Sequence, residues 1–209
     1  MLGFYNYTVV LTYLGLLSGV IGIWFAAGNH PLAAIICLMI AGLFDTFDGK
    51  IARTRVRTVP EQHFGIQLDS LCDMVCFGVL PCIIGYSIGM KQPWHIAVMF
   101  VYILAALIRL AYFNVVEEER QSEESQPRTA YLGLPVTSIC LILPFIICLK
   151  TFIGGYISIV YTAALAIIAL CFVSKFKIAK PDNTAIGIMI LIGLIEIAML
   201  IMAKIYHVF

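Results

Sequence analysis

The sequence predicts an all-α integral membrane protein, a polytopic helical bundle of about six to eight transmembrane helices. Hydrophobic residues make up 62% of the 209 residues and charged residues only 12%, far from the average of soluble globular proteins. The apolar residues lie in runs long enough to cross a membrane as helices, and polar residues collect between these runs. The seven candidate helices lie near 6–27, 31–53, 65–89, 94–116, 131–150, 154–174 and 183–205.

The first run is predicted to be a retained helix rather than a signal peptide. No basic segment precedes it and no small-residue cleavage motif follows it. Its polar residues are interpreted as helix–helix contacts in preference to substrate contacts. These residues are Asn6, Thr8, Thr12 and Ser18.

The later helices carry two isolated charges. Arg109 lies about two turns inside the fourth helix, where an arginine is costly unless it faces a polar cavity. It is interpreted as neutralising a site carboxylate or binding an anionic substrate group, with snorkelling to the headgroups as the alternative. Glu196 lies in the middle of the seventh helix and is given no role.

The segments between helices are polar and are expected to be turns or loops. Residues 117–128 contain five glutamates and predict a solvated loop without chemistry. Gly133 and Pro135 open the fifth helix, and Gly154 and Gly155 mark the turn into the sixth. The seven cysteines lie in apolar runs without a CxxC pair and are expected to be reduced packing residues.

The basic residues predict the orientation. Residues 50–64, 116–130 and 174–182 together hold nine Lys and Arg residues, whereas the opposite side holds Lys91, Lys150 and Lys204. Nine against three makes the first side cytoplasmic, with the N-terminus inside. The expected location is the cell membrane, with the site facing the cytoplasm. One membrane domain over 1–209 accounts for the whole chain, and without a basic patch no nucleic-acid partner is expected.

Four of the twelve acidic residues lie in one stretch, residues 45–73. Asp45 and Asp48 are three apart, and Asp69 and Asp73 are four apart, so each pair shares a helix face. Paired carboxylates suit a hard dication such as Mg²⁺ or Mn²⁺, which takes its other ligands from phosphate and water. Structural pairing with arginines is the less favoured alternative, and the sequence therefore predicts a metal site near the cytoplasmic face.

Small and basic residues flank these carboxylates. Gly49, Ala52 and Gly65 allow a bulky ligand to approach the backbone closely. Arg53 either clamps a phosphate or pairs with an aspartate. Arg55 and Arg57 are attributed to the positive-inside bias or to headgroup attraction.

The predicted chemistry is phosphoryl transfer to an alcohol. Metal withdraws charge from the phosphoryl oxygens while a neighbouring carboxylate takes the proton of an attacking hydroxyl. Asp73 is the candidate base, because it lies a turn beyond Asp69 and farthest in sequence from the pair on the second helix. Burial in the membrane indicates that one substrate is a lipid and that the other enters from the cytoplasm.

The pattern Asp45-x2-Asp48-Gly49-x2-Ala52-Arg53, followed by Gly65-x3-Asp69-x3-Asp73, resembles the signature of the CDP-alcohol phosphatidyltransferase family. The flanking residues 68–81, 109–114 and 133–135 are similar to the phosphatidylserine synthases of bacteria and archaea within that family. The resemblance covers helices two to five well and the last two helices poorly.

The resemblance implies a helical membrane fold, usually a homodimer, with two divalent ions in a cytoplasm-facing site. It implies that Asp45, Asp48 and Asp69 are metal ligands and that Asp73 is both a ligand and the general base. The implied reaction joins CDP-diacylglycerol and L-serine to give phosphatidylserine and CMP. The residues implied to contact the CDP moiety are Asp48, Gly49, Ala52, Arg53 and Gly65.

The chain departs from the family pattern at the spacer and the alcohol pocket. Eleven residues separate Arg53 from Gly65, where the family more often has eight or nine. Cys76 stands where the serine enzymes usually have Ser, Tyr112 where they often have Arg, and Gly15 where an Asn is common.

Acceptor recognition is predicted from two residues of the fourth helix. Arg109 is the candidate for the serine carboxylate, and Asn114 or backbone carbonyls for its ammonium group. The alternatives are an inositol phosphate or glycerol phosphate acceptor or, outside this enzyme class, a divalent-cation carrier.

Overall fold

A computed structural model describes residues 3–52, 54–123, 130–179 and 181–205. It contains α-helices joined by short turns and one pair of short strands. The α-helices are α1 (Val10–Ala27), α2 (Pro31–Ala52), α3 (Val59–Asp73), α4 (Leu80–Ser87), α5 (Pro93–Glu123), α6 (Ile139–Cys148), α7 (Lys150–Ile153), α8 (Ile157–Val173) and α9 (Asn183–Ile205). The strands are β1 (Ala130–Leu132) and β2 (Lys177–Ala179), which pair antiparallel.

Six helical segments of the described chain are long and apolar enough to span a membrane. One of them combines α3, a π-helical turn over Met74–Val79 and α4 into a single span, Val59–Ser87. A seventh apolar segment, Val136–Cys148, is shorter than the others. The prediction of an all-α polytopic membrane protein is therefore confirmed.

The third predicted helix begins at Val59 rather than near residue 65. Its first turn is fixed by Thr58 and Glu61, because the Glu61 carboxylate accepts hydrogen bonds from the Thr58 N–H at 2.9 Å and from its hydroxyl at 3.0 Å. Three of the six residues 59–64 are polar and interrupt the apolar run, so a prediction from apolar runs places the start of this helix too late.

The glutamate-rich segment was wrongly predicted to be a loop as far as residue 123. Helix α5 continues through it and ends at Glu123, and residues 124–128 of the predicted loop lie outside the described residues. Its 31 residues extend about 46 Å at 1.5 Å per residue, well beyond the apolar core of a bilayer of about 30 Å. Glu, Gln and Arg favour helix, so the chain stays helical after it leaves the apolar layer.

The fifth predicted helix does not begin at residue 131. Residues 130–132 form β1, with Ala130 opposite Ala179 and Leu132 opposite Lys177, and helix α6 starts only at Ile139. Gly133 interrupts the helix, because its φ of +73° is left-handed and its N–H donates to the Phe176 carbonyl at 2.7 Å.

Segments predicted to share one membrane side meet at one end of the bundle. Lys50 at the end of α2 donates to the Asn183 side chain at the start of α9, at 3.1 Å. Gln67 on α3 donates to Glu118 on α5, at 3.1 Å. Tyr7 lies at the same end, with its hydroxyl 3.1 Å from that of Thr54. The bundle thus has one polar end that carries the predicted cytoplasmic segments, and the cytoplasmic assignment itself stays a prediction.

Helix α1 packs closely against the π-helical turn. A Cβ at Gly19 would lie 2.5 Å from the Cys76 sulfur, so only glycine allows this approach. The Cys76 thiol in turn donates to the Gly15 carbonyl at 3.4 Å. Elsewhere on α1, the Ser18 hydroxyl donates to the Cys37 carbonyl at 2.8 Å, a helix–helix contact of the predicted kind.

Replacing Gly133 by Ala is expected to lower the free energy of unfolding by about 2 kcal/mol, because a left-handed residue gains a side chain. The new Cβ would also lie 2.9 Å from the Ser174 carbonyl oxygen. The thermal midpoint of the purified protein in detergent is expected to fall by about 4–8 °C. Gly155→Ala is the control, since open space surrounds Gly155; equal midpoints for the two variants would contradict the prediction.

Candidate metal centre

The structure brings the four predicted aspartates to one cavity between α1, α2 and α3. One carboxylate oxygen from each of Asp45, Asp48 and Asp69 lies within 4.8 Å of the others. Asp73 lines the same cavity. The three- and four-residue spacings place each pair on one helix face, and the packing of α1 against both α2 and α3 then brings the two pairs to one cavity.

Helix α1 closes the cavity with residues that the sequence did not assign to a site. The Thr12 hydroxyl donates to Asp48 Oδ2 at 3.2 Å. Asp48 is only 8% exposed, and this bond holds one of its oxygens. The only sequence signal was a threonine in an apolar helix, which was interpreted as a packing contact. The other α1 residues that line the cavity are Leu11, Gly15 and Leu16.

The donors of the cluster suit a hard cation. The group of closely spaced ligand atoms consists of carboxylate oxygens alone, the ligand type that Mg²⁺ and Mn²⁺ prefer. Among the described side chains, Arg55 forms an ion pair with Glu61 and His63 Nδ1 lies 3.5 Å from Glu118 Oε1, and the aspartates take no part in these contacts. Two carboxylates about 5 Å apart repel by about 3 kcal/mol at an effective dielectric of 20. A dication at this position would offset that repulsion, so the residues fit the predicted metal.

A π-helical turn begins directly after Asp73 and shapes this side of the cavity. Such turns leave part of the regular helical hydrogen bonding unmade and are frequent at functional sites. The buried hydroxyl of Tyr102 on α5 donates to the Phe77 carbonyl within the turn, at 2.7 Å. Cys76, also in this turn, lines the cavity and contacts α1. The turn is therefore held from both sides, and it fixes where α3 ends.

The predicted CDP-contacting residues occupy different surroundings. Gly49 is exposed, with open space beside it, and Ala52 is the last residue of α2. The space beside Gly65 holds the Arg57 guanidinium, because a Cβ there would lie 3.0 Å from Arg57 Nη1. Arg53 lies outside the described residues.

The predicted acceptor residues do not line the aspartate cavity. Arg109 is 7% exposed, its Nε donates to the Leu134 carbonyl at 3.2 Å, and its guanidinium lies 5.7 Å from the centre of the Phe113 ring. An intramembrane arginine with these contacts is buried in protein rather than snorkelling to the headgroups.

Asn114 joins α5 to α3. Its Oδ1 accepts from the Ser70 hydroxyl at 2.6 Å, and its Nδ2 donates to Gln67 Oε1 at 3.2 Å. Gln67 continues the chain of bonds to Glu118. Because Ser70 adjoins Asp69 in α3, these bonds fix the helix that carries the second aspartate pair.

Asn114→Ala and Ser70→Ala are both expected to lower the thermal midpoint, because each removes the Ser70–Asn114 hydrogen bond. Asn114→Ala is expected to lower it more, because it also removes the bond to Gln67. Each loss is expected to be about 1–3 kcal/mol, the cost of a buried polar group without its partner. Serine binding by Asn114 requires in addition that the Michaelis constant for serine rises in Asn114→Ala alone. An equal rise in Ser70→Ala would assign the effect to helix positioning, and unchanged midpoints in both would contradict the network.

Glu196 is separate from the cluster. It is 4% exposed in α9, and its Oε2 makes no hydrogen bond with the described residues. The Cys148 thiol donates to its backbone carbonyl at 3.8 Å. All seven cysteines are free.

Comparison with known proteins identifies a family and several named relatives. The model of the family described as CDP-alcohol phosphatidyltransferase matches residues 5–207. A Saccharomyces cerevisiae protein named CDP-diacylglycerol–serine O-phosphatidyltransferase is 34% identical over 115 residues, which are 54% of this chain and 41% of the yeast protein. A Methanothermobacter thermautotrophicus archaetidylserine synthase is 35% identical over 108 residues, 51% of this chain and 46% of that protein.

A longer alignment exists with a more distant relative. A Helicobacter pylori protein named CDP-diacylglycerol–serine O-phosphatidyltransferase is 24% identical over 181 residues, 83% of this chain and 71% of its own length. By contrast, the chain spans less than half the length of the yeast and archaeal relatives.

Proposed function

This chain belongs to the CDP-alcohol phosphatidyltransferase family, and on that premise we propose that it transfers a phosphatidyl group from CDP-diacylglycerol to L-serine. The products are phosphatidylserine and CMP. The observation that carries the proposal is the cluster of Asp45, Asp48 and Asp69, with ligand atoms within 4.8 Å of one another and Asp73 in the same cavity. The choice of serine is supported by the names of the relatives.

The four aspartates would hold Mg²⁺ or Mn²⁺, and the family resemblance implies two ions. When bound, the metal withdraws charge from the pyrophosphate of CDP-diacylglycerol and from the CMP that leaves. Thr12 keeps Asp48 oriented through its 3.2 Å hydrogen bond. The protein contributes a fixed array of carboxylates, of which Asp48 is buried and the other three are partly buried.

Asp73 accepts the proton of the serine hydroxyl. The hydroxyl oxygen then forms a bond to the phosphatidyl phosphorus as the bond from that phosphorus to the CMP oxygen breaks. Direct transfer is favoured because the cavity offers no convincing separate nucleophile: besides the aspartates, its polar lining consists of Thr12 and the thiols of Cys72 and Cys76.

The acceptor and the nucleotide are assigned to different parts of the site. Arg109 would bind the serine carboxylate and Asn114 its ammonium group, whereas Asp48, Gly49, Ala52, Arg53 and Gly65 would accommodate the CDP moiety. The lipid would enter sideways between helices, with the site facing the cytoplasm. We further propose that residues 1–209 form one domain, that the protein lies in the cell membrane, and that it forms a homodimer.

The test is CMP release by purified protein supplied with CDP-diacylglycerol and Mn²⁺. L-serine, myo-inositol phosphate and glycerol phosphate are compared as acceptors. Release that depends on serine supports the proposal, and release that depends on another alcohol would keep the chemistry and change the acceptor. If the protein carries Mn²⁺ into vesicles and releases no CMP with any of the three acceptors, the cation-carrier alternative would take the place of the proposed enzyme.

A further inference from the structure

We propose that Arg57 binds a phosphate of the cytidine nucleotide at the mouth of the aspartate cavity. This inference rests on the proposed function, because it takes CDP-diacylglycerol as the donor. From the sequence, Arg57 was attributed to the positive-inside bias or to headgroup attraction, and the family signature does not include it. The structure instead places its guanidinium against the helix that carries Asp69 and Asp73.

The guanidinium lies on the same face of α3 as the two aspartates. Gly65, Asp69 and Asp73 follow one another at intervals of four residues, so they share one helix face. A Cβ at Gly65 would lie 3.0 Å from Arg57 Nη1. The cation therefore occupies the place that a side chain at residue 65 would take, about one helical turn of 5.4 Å before Asp69.

The backbone around Arg57 is held in place. Its carbonyl accepts a hydrogen bond from the Gln62 side chain at 2.9 Å. The next residue, Thr58, is bound to the Glu61 carboxylate through its N–H and its hydroxyl. The side chain is partly buried, so Arg57 extends along α3 from a fixed point just before the first turn of that helix.

Arg57 differs from its neighbour Arg55 in its partners. Arg55 forms an ion pair with Glu61, at 3.4 Å. Arg57 forms no ion pair within the described part of the chain, and its guanidinium keeps its donors for a ligand. A guanidinium offers paired N–H donors that match two oxygens of a phosphate.

The position of Arg57 indicates that it binds the phosphate next to cytidine rather than the one next to the lipid. The aspartates would hold the pyrophosphate through metal. Arg57 lies beside Gly65, one turn of α3 before Asp69, toward the polar end of the bundle where Gln67 on the same helix donates to Glu118. The acyl chains of the donor require the apolar part of the bundle, so the phosphate nearer to cytidine is the group that reaches Arg57.

The experiment measures the dissociation constant of CDP for the purified full chain in detergent at a fixed Mn²⁺ concentration. The variants are Arg57→Ala, Arg57→Lys and the matched control Arg55→Ala. We expect Arg57→Ala to weaken CDP binding by about tenfold, since a hydrogen bond to a charged group is lost. Arg57→Lys is expected to be intermediate because it keeps the charge without the planar fork, and Arg55→Ala should stay within about twofold of the wild type.

Three results would each overturn the inference. Arg57→Ala could bind CDP within about twofold of the wild-type affinity, Arg55→Ala could lose as much CDP affinity as Arg57→Ala, or the wild type could bind no CDP. Arg57→Gln, which keeps a polar side chain, is measured in the same way if the alanine variant does not fold. Because CDP binding is measured without acceptor, a wild type that binds CDP through Arg57 but shows no serine-dependent CMP release would contradict the proposed function alone.

Discussion

Asp73→Asn is expected to lower serine-dependent CMP release by about 10²- to 10⁴-fold, the usual contribution of a general base. The amide has almost the same shape as the carboxylate but cannot accept the proton of the serine hydroxyl. Asp73 lies at the end of α3, directly before the π-helical turn. The rate constant is measured at saturating serine, donor and Mn²⁺.

Two comparisons separate the loss of the base from the loss of a metal ligand. Asp48→Asn is expected to regain much of its activity at high Mn²⁺, because its main defect would be weaker metal binding. Asp73→Asn, which loses the base as well as a ligand, should keep most of its defect. Asp182→Asn is the matched control outside the cavity: Asp182 Oδ1 accepts from the Ala185 N–H at 2.8 Å, and asparagine can keep that bond. If excess Mn²⁺ fully restored serine-dependent CMP release in Asp73→Asn, the role of Asp73 as the base would be contradicted.

Mn²⁺ is expected to stabilise the wild type and to have much less effect on Asp48→Asn. A ligand at 100 times its dissociation constant adds about 2.7 kcal/mol, which corresponds to a rise of roughly 5–10 °C in thermal midpoint. Asp48 is a buried member of the cluster, at 8% exposure, so its loss removes a preoriented ligand.

Without metal the order of stability is expected to reverse. Removal of one of four neighbouring carboxylates relieves repulsion, and the amide oxygen of the Asp48→Asn variant could still accept from the Thr12 hydroxyl. Without metal, Asp48→Asn should therefore have a higher thermal midpoint than the wild type. Thermal scans with EDTA and with Mn²⁺ check both parts, with Asp182→Asn again as the control. If Mn²⁺ raised the thermal midpoint of Asp48→Asn as much as that of the wild type, the assignment of Asp48 as a ligand would be contradicted.

Hydrophobic composition was sufficient to predict the membrane class and most of the spans, because each crossing requires a long apolar helix. It failed where structure does not depend on hydrophobicity. The capped first turn of α3, the polar end of α5 and the β1–β2 pair are made by hydrogen bonds and helix propensity. A hydropathy pattern contains no signal for any of these.

The aspartates could be selected from spacing, since three- and four-residue intervals determine which side chains share a helix face. The distance between the pair on α2 and the pair on α3 could not be predicted, because no local rule relates the position of one helix to that of the other. That ligand atoms of Asp45, Asp48 and Asp69 lie within 4.8 Å of one another follows from the packing of α1 against both α2 and α3.

Local features of the chain were enough to predict a helical membrane protein with its site in residues 45–73. Those features are the length of apolar runs and the periodicity of a helix, and both can be recognised without knowing how the helices pack. The folded bundle was needed to find that Thr12 supports Asp48, that Asn114 bonds to α3, and that Arg57 lies beside Gly65. These contacts join residues distant in sequence or depend on the path of a loop, so they are set by packing of the whole bundle rather than by any single segment.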